Sequence, residues 1–157
     1  MNCRIDLTRG DCVVLYGRPG AGKTCLLRTI EEYLRQRGLD VVRCSALELV
    51  DCILKSIRNR SYEAYQSLML AHDALLIDDI WILDGKPATA RAVLSLITAA
   101  AGNERIVVIT SDLSPSQIAG WANSDALAKH LRVLPVSRGL WSGLKIGIPP
   151  GETPSRN

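Results

Sequence analysis

The run Gly17-Arg18-Pro19-Gly20-Ala21-Gly22-Lys23-Thr24 constrains this chain more than any other stretch. It satisfies the phosphate-loop pattern G-x-x-x-x-G-K-[ST] at every fixed position. Cys12-Val13-Val14-Leu15-Tyr16 before it reads as a buried strand, and Cys25 to Arg37 after it reads as a helix. That strand–loop–helix context is what the motif requires. Glycines let the backbone curl until successive N–H groups face one anion, and the helix start adds partial positive charge. Lys23 is placed to reach the β- and γ-phosphates, and the Thr24 hydroxyl to bind Mg²⁺. Residues Gly17 to Thr24, with Cys25 behind them, are therefore the candidate binding site for a nucleoside triphosphate such as ATP.

The rest of the chain supplies a fold for that loop. The first helix carries Leu26, Leu27, Ile30 and Leu34 at the helical period, and Gly38 stops it. Asp40 to Cys44 reads as a strand. Ser45 then caps a helix with Glu48 three residues on, and Val50, Ile53, Leu54 and Ile57 form its apolar face. A shorter helix is expected from Tyr62 to Ala71, and another from Thr89 to Ala101. Ala74 to Ile77 and Arg105 to Thr110 are apolar runs without alternation, the mark of strands buried on both faces. Ser114-Pro115-Ser116-Gln117 is a helix start with a capping box, and Asp125 to Arg132 reads as a further helix. Weaker strands are expected around Cys3 to Leu7 and Leu144 to Ile148. Strands alternating with helices imply an α/β, three-layer domain, a parallel sheet with helices on both faces. Residues 1–150 form that core, and 151–157 have the composition of a mobile tail.

Two acids close the strand Ala74-Leu75-Leu76-Ile77-Asp78-Asp79, at the edge where ligands bind in open α/β sheets. Asp78 is the natural carboxylate for a Mg²⁺ shell, and Asp79 is placed to orient or deprotonate water. Thr110-Ser111-Asp112 ends another strand. If that strand lies between those carrying the loop and the acids, one of the three side chains faces the γ-phosphate and distinguishes ATP from ADP. Net charge is only +3, too small to argue for nucleic acid by itself. No run reaches the roughly 18 apolar residues of a membrane span, and no leader-like segment opens the chain. Cys3, Cys12, Cys25, Cys44 and Cys52 are odd in number and lack C-x-x-C spacing, so they read as reduced thiols of a cytoplasmic protein.

Taken in order, these motifs resemble the DnaA replication initiators of the AAA+ ATPases. Val41 to Val50 resembles that family's second strand and helix. Ala74 to Lys86, with both acids and a later Gly-Lys, resembles its second nucleotide motif. Ile109-Thr110-Ser111-Asp112-Leu113-Ser114-Pro115 resembles its sensor segment, and Ser137-Arg138 with Gly143-Leu144 and Pro149-Pro150 its arginine-finger segment. The resemblance implies a P-loop NTPase of AAA+ type with a five-stranded parallel sheet. It also implies Mg²⁺-dependent binding and slow hydrolysis of ATP as a switch in replication initiation. In that reading Asp112 is the sensor and Arg138 the finger offered to a neighbouring subunit of a head-to-tail oligomer. Single-stranded DNA and other replication proteins, an initiator or a helicase, are the implied partners. Arg43, Lys55, Arg58 and Arg60 lie in the region these relatives use for DNA, although a solvated basic face explains them equally.

The departures from the family are specific. Gly17 follows only 16 residues, where relatives hold adenine with a longer preceding segment. The chain stops where a helical lid would begin, and nothing in it matches a helix-turn-helix domain. Leu140 and Ser142 are extra in the finger segment, and Ala88 stands where relatives often carry a DNA-contacting arginine. Two alternatives stay open on the sequence: a helicase-loader-type ATPase, and a non-catalytic DnaA-like interaction protein.

Overall fold

The computed structural model describes residues 4–122, 128–141 and 143–150. Five parallel strands form the central sheet: β2 (Cys12–Tyr16), β3 (Val41–Ser45), β4 (Ala74–Asp78), β5 (Ile106–Ser111) and β6 (Leu131–Pro135). Their spatial order is β3-β4-β5-β2-β6. The helices are α1 (Lys23–Gln36), α2 (Ala46–Arg58), α3 (Tyr62–Leu70), α4 (Pro87–Gly102) and α5 (Pro115–Ala122). Strand β1 (Arg4–Asp6) pairs with β7 (Lys145–Gly147) in a separate two-stranded parallel ribbon.

The three layers follow from the two-residue period of the strands. Val13 and Leu15 of β2, Leu76 of β4 and Val108 of β5 face one side, where they meet Leu26, Leu27, Ile30 and Leu34 of α1. Ile5 and Leu7 of the β1 segment seal the same side. Cys12 and Val14, Leu75 and Ile77, and Val107 and Ile109 face the other, against α2 and α4. With no Phe in the chain, Leu, Ile and Val fill both layers. Burial pushes the Cys12 thiol up to about 12, helped by the Asp11 charge, so this cysteine stays protonated and packs as a small apolar group.

Three expectations need correction. Leu131 and Arg132 belong to strand β6, not to the end of a helix; residues 123–127 of that expected helix lie outside the described ones. Strand β6 is an edge strand paired only with β2. Its residues are half-buried or exposed, so it lacks the continuous apolar run that marks β4 and β5. Next, the strand within Leu144 to Ile148 pairs with β1 rather than joining the main sheet. Finally, the buried stripe of α2 is Ala46, Leu49, Ile53 and Ser56, whereas Leu54 and Ile57 are 42% and 53% exposed. The helix is apolar over more than one face, and periodicity alone does not say which face meets the sheet. The expected caps are present: Ser45 Oγ accepts from Glu48 N at 3.1 Å, and Gln117 Oε1 accepts from Ser114 N at 2.9 Å.

The face assignment of α2 has a direct consequence. Leu49→Ala should destabilise the fold by about 2–5 kcal/mol, because it opens a cavity against the sheet. Ile57→Ala should cost under about 1 kcal/mol. Urea titration of both variants checks this, and equal losses would contradict an α2 that turns Leu49 inward and Ile57 outward.

Candidate nucleotide site

Because the sheet is parallel, β2, β4 and β5 deliver their C-terminal ends to one edge. Strand β5 lies between β4 and β2, the condition under which the Thr110–Asp112 cluster meets both the loop and the acids. The loop leaves β2 at Gly17, whose N–H donates to the Ser111 carbonyl at 3.2 Å. Gly22 caps α1 in the left-handed region with φ 96°, a conformation any side chain would strain.

Lys23 is 6% exposed, and its ammonium group is fully engaged. It donates to the carbonyls of Gly17 and Arg18, each at 2.8 Å, and lies 2.7 Å from Asp112 Oδ1. An ammonium has three donors, and each has an acceptor here. Asp112, read as the sensor, thus touches the loop lysine directly. Thr24 Oγ1 lies 2.9 Å from Asp78 Oδ2 and 3.2 Å from Oδ1. A hydroxyl beside a carboxylate is the hard-oxygen donor set that Mg²⁺ prefers. Gly20, Gly22, Lys23, Thr24, Cys25, Asp79 and Asp112 all border one open cavity of about 430 Å³.

Thr110 has a different task from the one expected of the cluster as a whole. Its hydroxyl donates to Asp78 Oδ1 at 2.5 Å and accepts from the Asp79 backbone N–H at 2.8 Å. One buried hydroxyl therefore fixes both acids. Ser111 instead ties the turn that follows, accepting from Leu113 N at 2.9 Å. Asp79 sits in the left-handed region with φ 59°, uncommon for a residue with a side chain. Its carboxylate accepts from the Trp81 indole N–H at 3.2 Å. Sequence reasoning misses Trp81, because an aromatic residue two places after a pair of acids carries no recognised spacing signal.

Arg18, Pro19 and Ala21 border a second cleft of about 500 Å³ on the other side of the loop. Its opposite wall is Pro135 to Arg138. Arg138 approaches the loop of its own chain, with Nε 3.4 Å from the Gly20 carbonyl. Arg43, in the basic stretch, is paired with Glu31, and Lys55 lies 2.8 Å from Asp51. Arg58 and Arg60 are exposed.

With this geometry in hand, known proteins give a consistent answer. A family described as the bacterial DnaA ATPase domain matches residues 8–133. The chain belongs to that family. The DnaA initiator of Wolinella succinogenes is 32% identical over 108 residues, 69% of this chain and 25% of that protein. DnaA of Psychromonas ingrahamii is 31% identical over 144 residues, 90% of this chain and 29% of its own length. The chain thus spans about a quarter of the length of the curated DnaA relatives it matches. Among solved structures, AMPPCP-bound DnaA from Aquifex aeolicus superposes with a TM-score of 0.69 at 20% identity, covering 83% of this chain and 41% of that one. DnaA bound to AMPPCP and single-stranded DNA gives 0.68 at 22%, over 82% and 40%. The DnaC helicase loader gives 0.58 at 15%, over 82% and 80%. At these identities the structural likenesses establish the three-layer P-loop fold. No helix among the described residues is long and apolar enough to cross a membrane.

The bridging role of Thr110 is testable. Thr110→Val removes the donor to Asp78 and the acceptor for Asp79 N–H while keeping the shape. It should cost about 1–3 kcal/mol in chemical denaturation. Thr110→Ser should recover most of that, and a Val variant as stable as the parent would refute the bridge.

Proposed function

We propose that this chain is an ATP-controlled switch of DnaA type, acting in the cytoplasm in replication initiation or its regulation. The observation that carries the reading is the convergence of Lys23, Thr24, Asp78 and Asp112 at one sheet edge around a phosphate-sized opening. Lys23 would exchange its carbonyl and Asp112 partners for the β- and γ-phosphates. Gly17 to Cys25 would cradle the phosphate chain. Thr24 and Asp78 would hold Mg²⁺, which supplies charge neutralisation to the phosphates. Asp79, fixed by Thr110 and Trp81, would orient water for slow hydrolysis. Asp112 would read the γ-phosphate through Lys23: with the phosphate present, its carboxylate loses the ammonium as its partner. That change at the end of β5 is the switch element of the proposal.

The partners are those the family suggests. One structural neighbour is described as DnaA bound to single-stranded DNA, which supports a DNA-binding role for the surface around Arg58 and Arg60. Assembly with further subunits, alike or different, or with a replicative helicase belongs to the same reading.

Calorimetric titration of ATP and ADP with Mg²⁺ tests it. The parent chain should bind both nucleotides, and Lys23→Ala should abolish binding. Nucleotide at about 100 times Kd should raise stability by about 2.7 kcal/mol. Absence of binding at millimolar nucleotide would remove the ATP reading. A separate variant probes the metal: Asp78→Asn should weaken ATP binding severalfold in Mg²⁺ and leave it unchanged in EDTA. Equal loss in both conditions would contradict the metal role.

A further inference from the structure

The family match ends at residue 133, and the segment immediately beyond it is the one that packs on the phosphate loop. Strand β6 runs in register with β2, pairing Tyr16 with Pro135, so both strands end together beside the loop. The chain then holds that position for another residue. Val136 N–H donates to the Tyr16 carbonyl at 2.6 Å, and the Val136 side chain is buried. The contact is close enough to dictate sequence on the other side: a Cβ added to Gly17 would lie 2.5 Å from the Val136 carbonyl oxygen. Gly17 is therefore required twice, by the loop and by this packed segment. Two residues later Arg138 emerges beside Gly20, its Nε 3.4 Å from the Gly20 carbonyl.

The result is a cleft of about 500 Å³ between the loop and Pro135–Arg138. Tyr16, Pro19, Pro135 and Val136 give it apolar surface, while Arg18 and Arg138 bring two cations. Pro19 and Gly20 also border the cavity that holds Lys23 and Thr24, so the two spaces share the loop as a common wall. A nucleotide whose phosphates enter one has its flat, partly apolar end within reach of the other.

We propose that this cleft is the nucleoside half of the site, built in cis, and that Arg138 binds the base of the nucleotide held by its own loop. This rests on the ATP reading above. A guanidinium suits the role because it is planar, always charged and stacks on aromatic faces. The assignment differs from the role that resemblance to the family implies, in which Arg138 serves a neighbouring subunit.

The test compares ATP with Mg²⁺-tripolyphosphate, which has the phosphates but no nucleoside, using calorimetry on dilute monomeric protein. Arg138→Ala should lose about tenfold in ATP affinity and keep its tripolyphosphate affinity. Lys23→Ala should lose both ligands. Arg138→Lys, which keeps the charge but not the plane, should recover only part of the ATP affinity. If the parent binds ATP and Arg138→Ala binds it equally well, this inference fails while the ATP reading stands. Equal loss of ATP and tripolyphosphate would make Arg138 a phosphate contact and overturn the nucleoside assignment. Recovery of ATP hydrolysis on mixing Arg138→Ala with Lys23→Ala chains would show action between subunits and also overturn it. If the parent binds no ATP, both readings fall together.

Discussion

Lys23 carries its charge at a place that is almost closed to water, and the surrounding structure is arranged to make that tolerable. Removing an ammonium from solvent costs several kcal/mol unless good partners replace the water. Here the replacements come from two elements, the Gly17 and Arg18 carbonyls of the loop and the Asp112 carboxylate after β5. The arrangement works only if β5 is the immediate neighbour of β2. That neighbourhood follows from the strand order, and the order follows from crossover connections that bury α1 on one face and α2 and α4 on the other. The lysine thus links the loop sequence to the topology of the entire sheet.

The same logic governs Asp78. Its carboxylate is held by hydroxyls from both sides, Thr24 from α1 and Thr110 from β5. Lys23 and Asp78 are therefore both satisfied by protein groups. A ligand has to offer each a better partner than the one it leaves. A polyphosphate does so for Lys23, and a divalent cation does so for Asp78 and Thr24. Charge-assisted hydrogen bonds contribute about 1.5–3 kcal/mol each, so the exchange is close to balanced and sensitive to the charge of the ligand. Such a balance suits a switch better than a site that binds any anion without cost.

Much of this is legible in the sequence, for identifiable reasons. The phosphate loop has a fixed spacing because backbone geometry leaves few alternatives, and the buried strands β4 and β5 stand out as unbroken apolar runs. Asp78 and Asp112 are legible because strand ends at this edge are where ligands bind. The difficulties arise where a local pattern does not determine a tertiary partner. Edge strand β6 carries only half-buried and exposed residues and so resembles a helix end. The apolar face of α2 is broader than the stripe it buries, which hides the outward placement of Leu54 and Ile57. Thr110 and Trp81 act through hydrogen bonds to residues at other positions, and the Val136–Gly17 contact joins residues far apart in the chain. No window of sequence contains those relations.

The central claim is that phosphate and metal replace the internal partners of Lys23 and Asp78. A crystal structure with Mg²⁺ and a non-hydrolysable ATP analogue tests it most directly. In that complex the Lys23 ammonium should leave the Gly17 and Arg18 carbonyls for phosphate oxygens. The direct Thr24–Asp78 bond should open to admit the cation. A complex in which the analogue is bound while Lys23 stays on those carbonyls and Thr24 stays on Asp78 would contradict the claim.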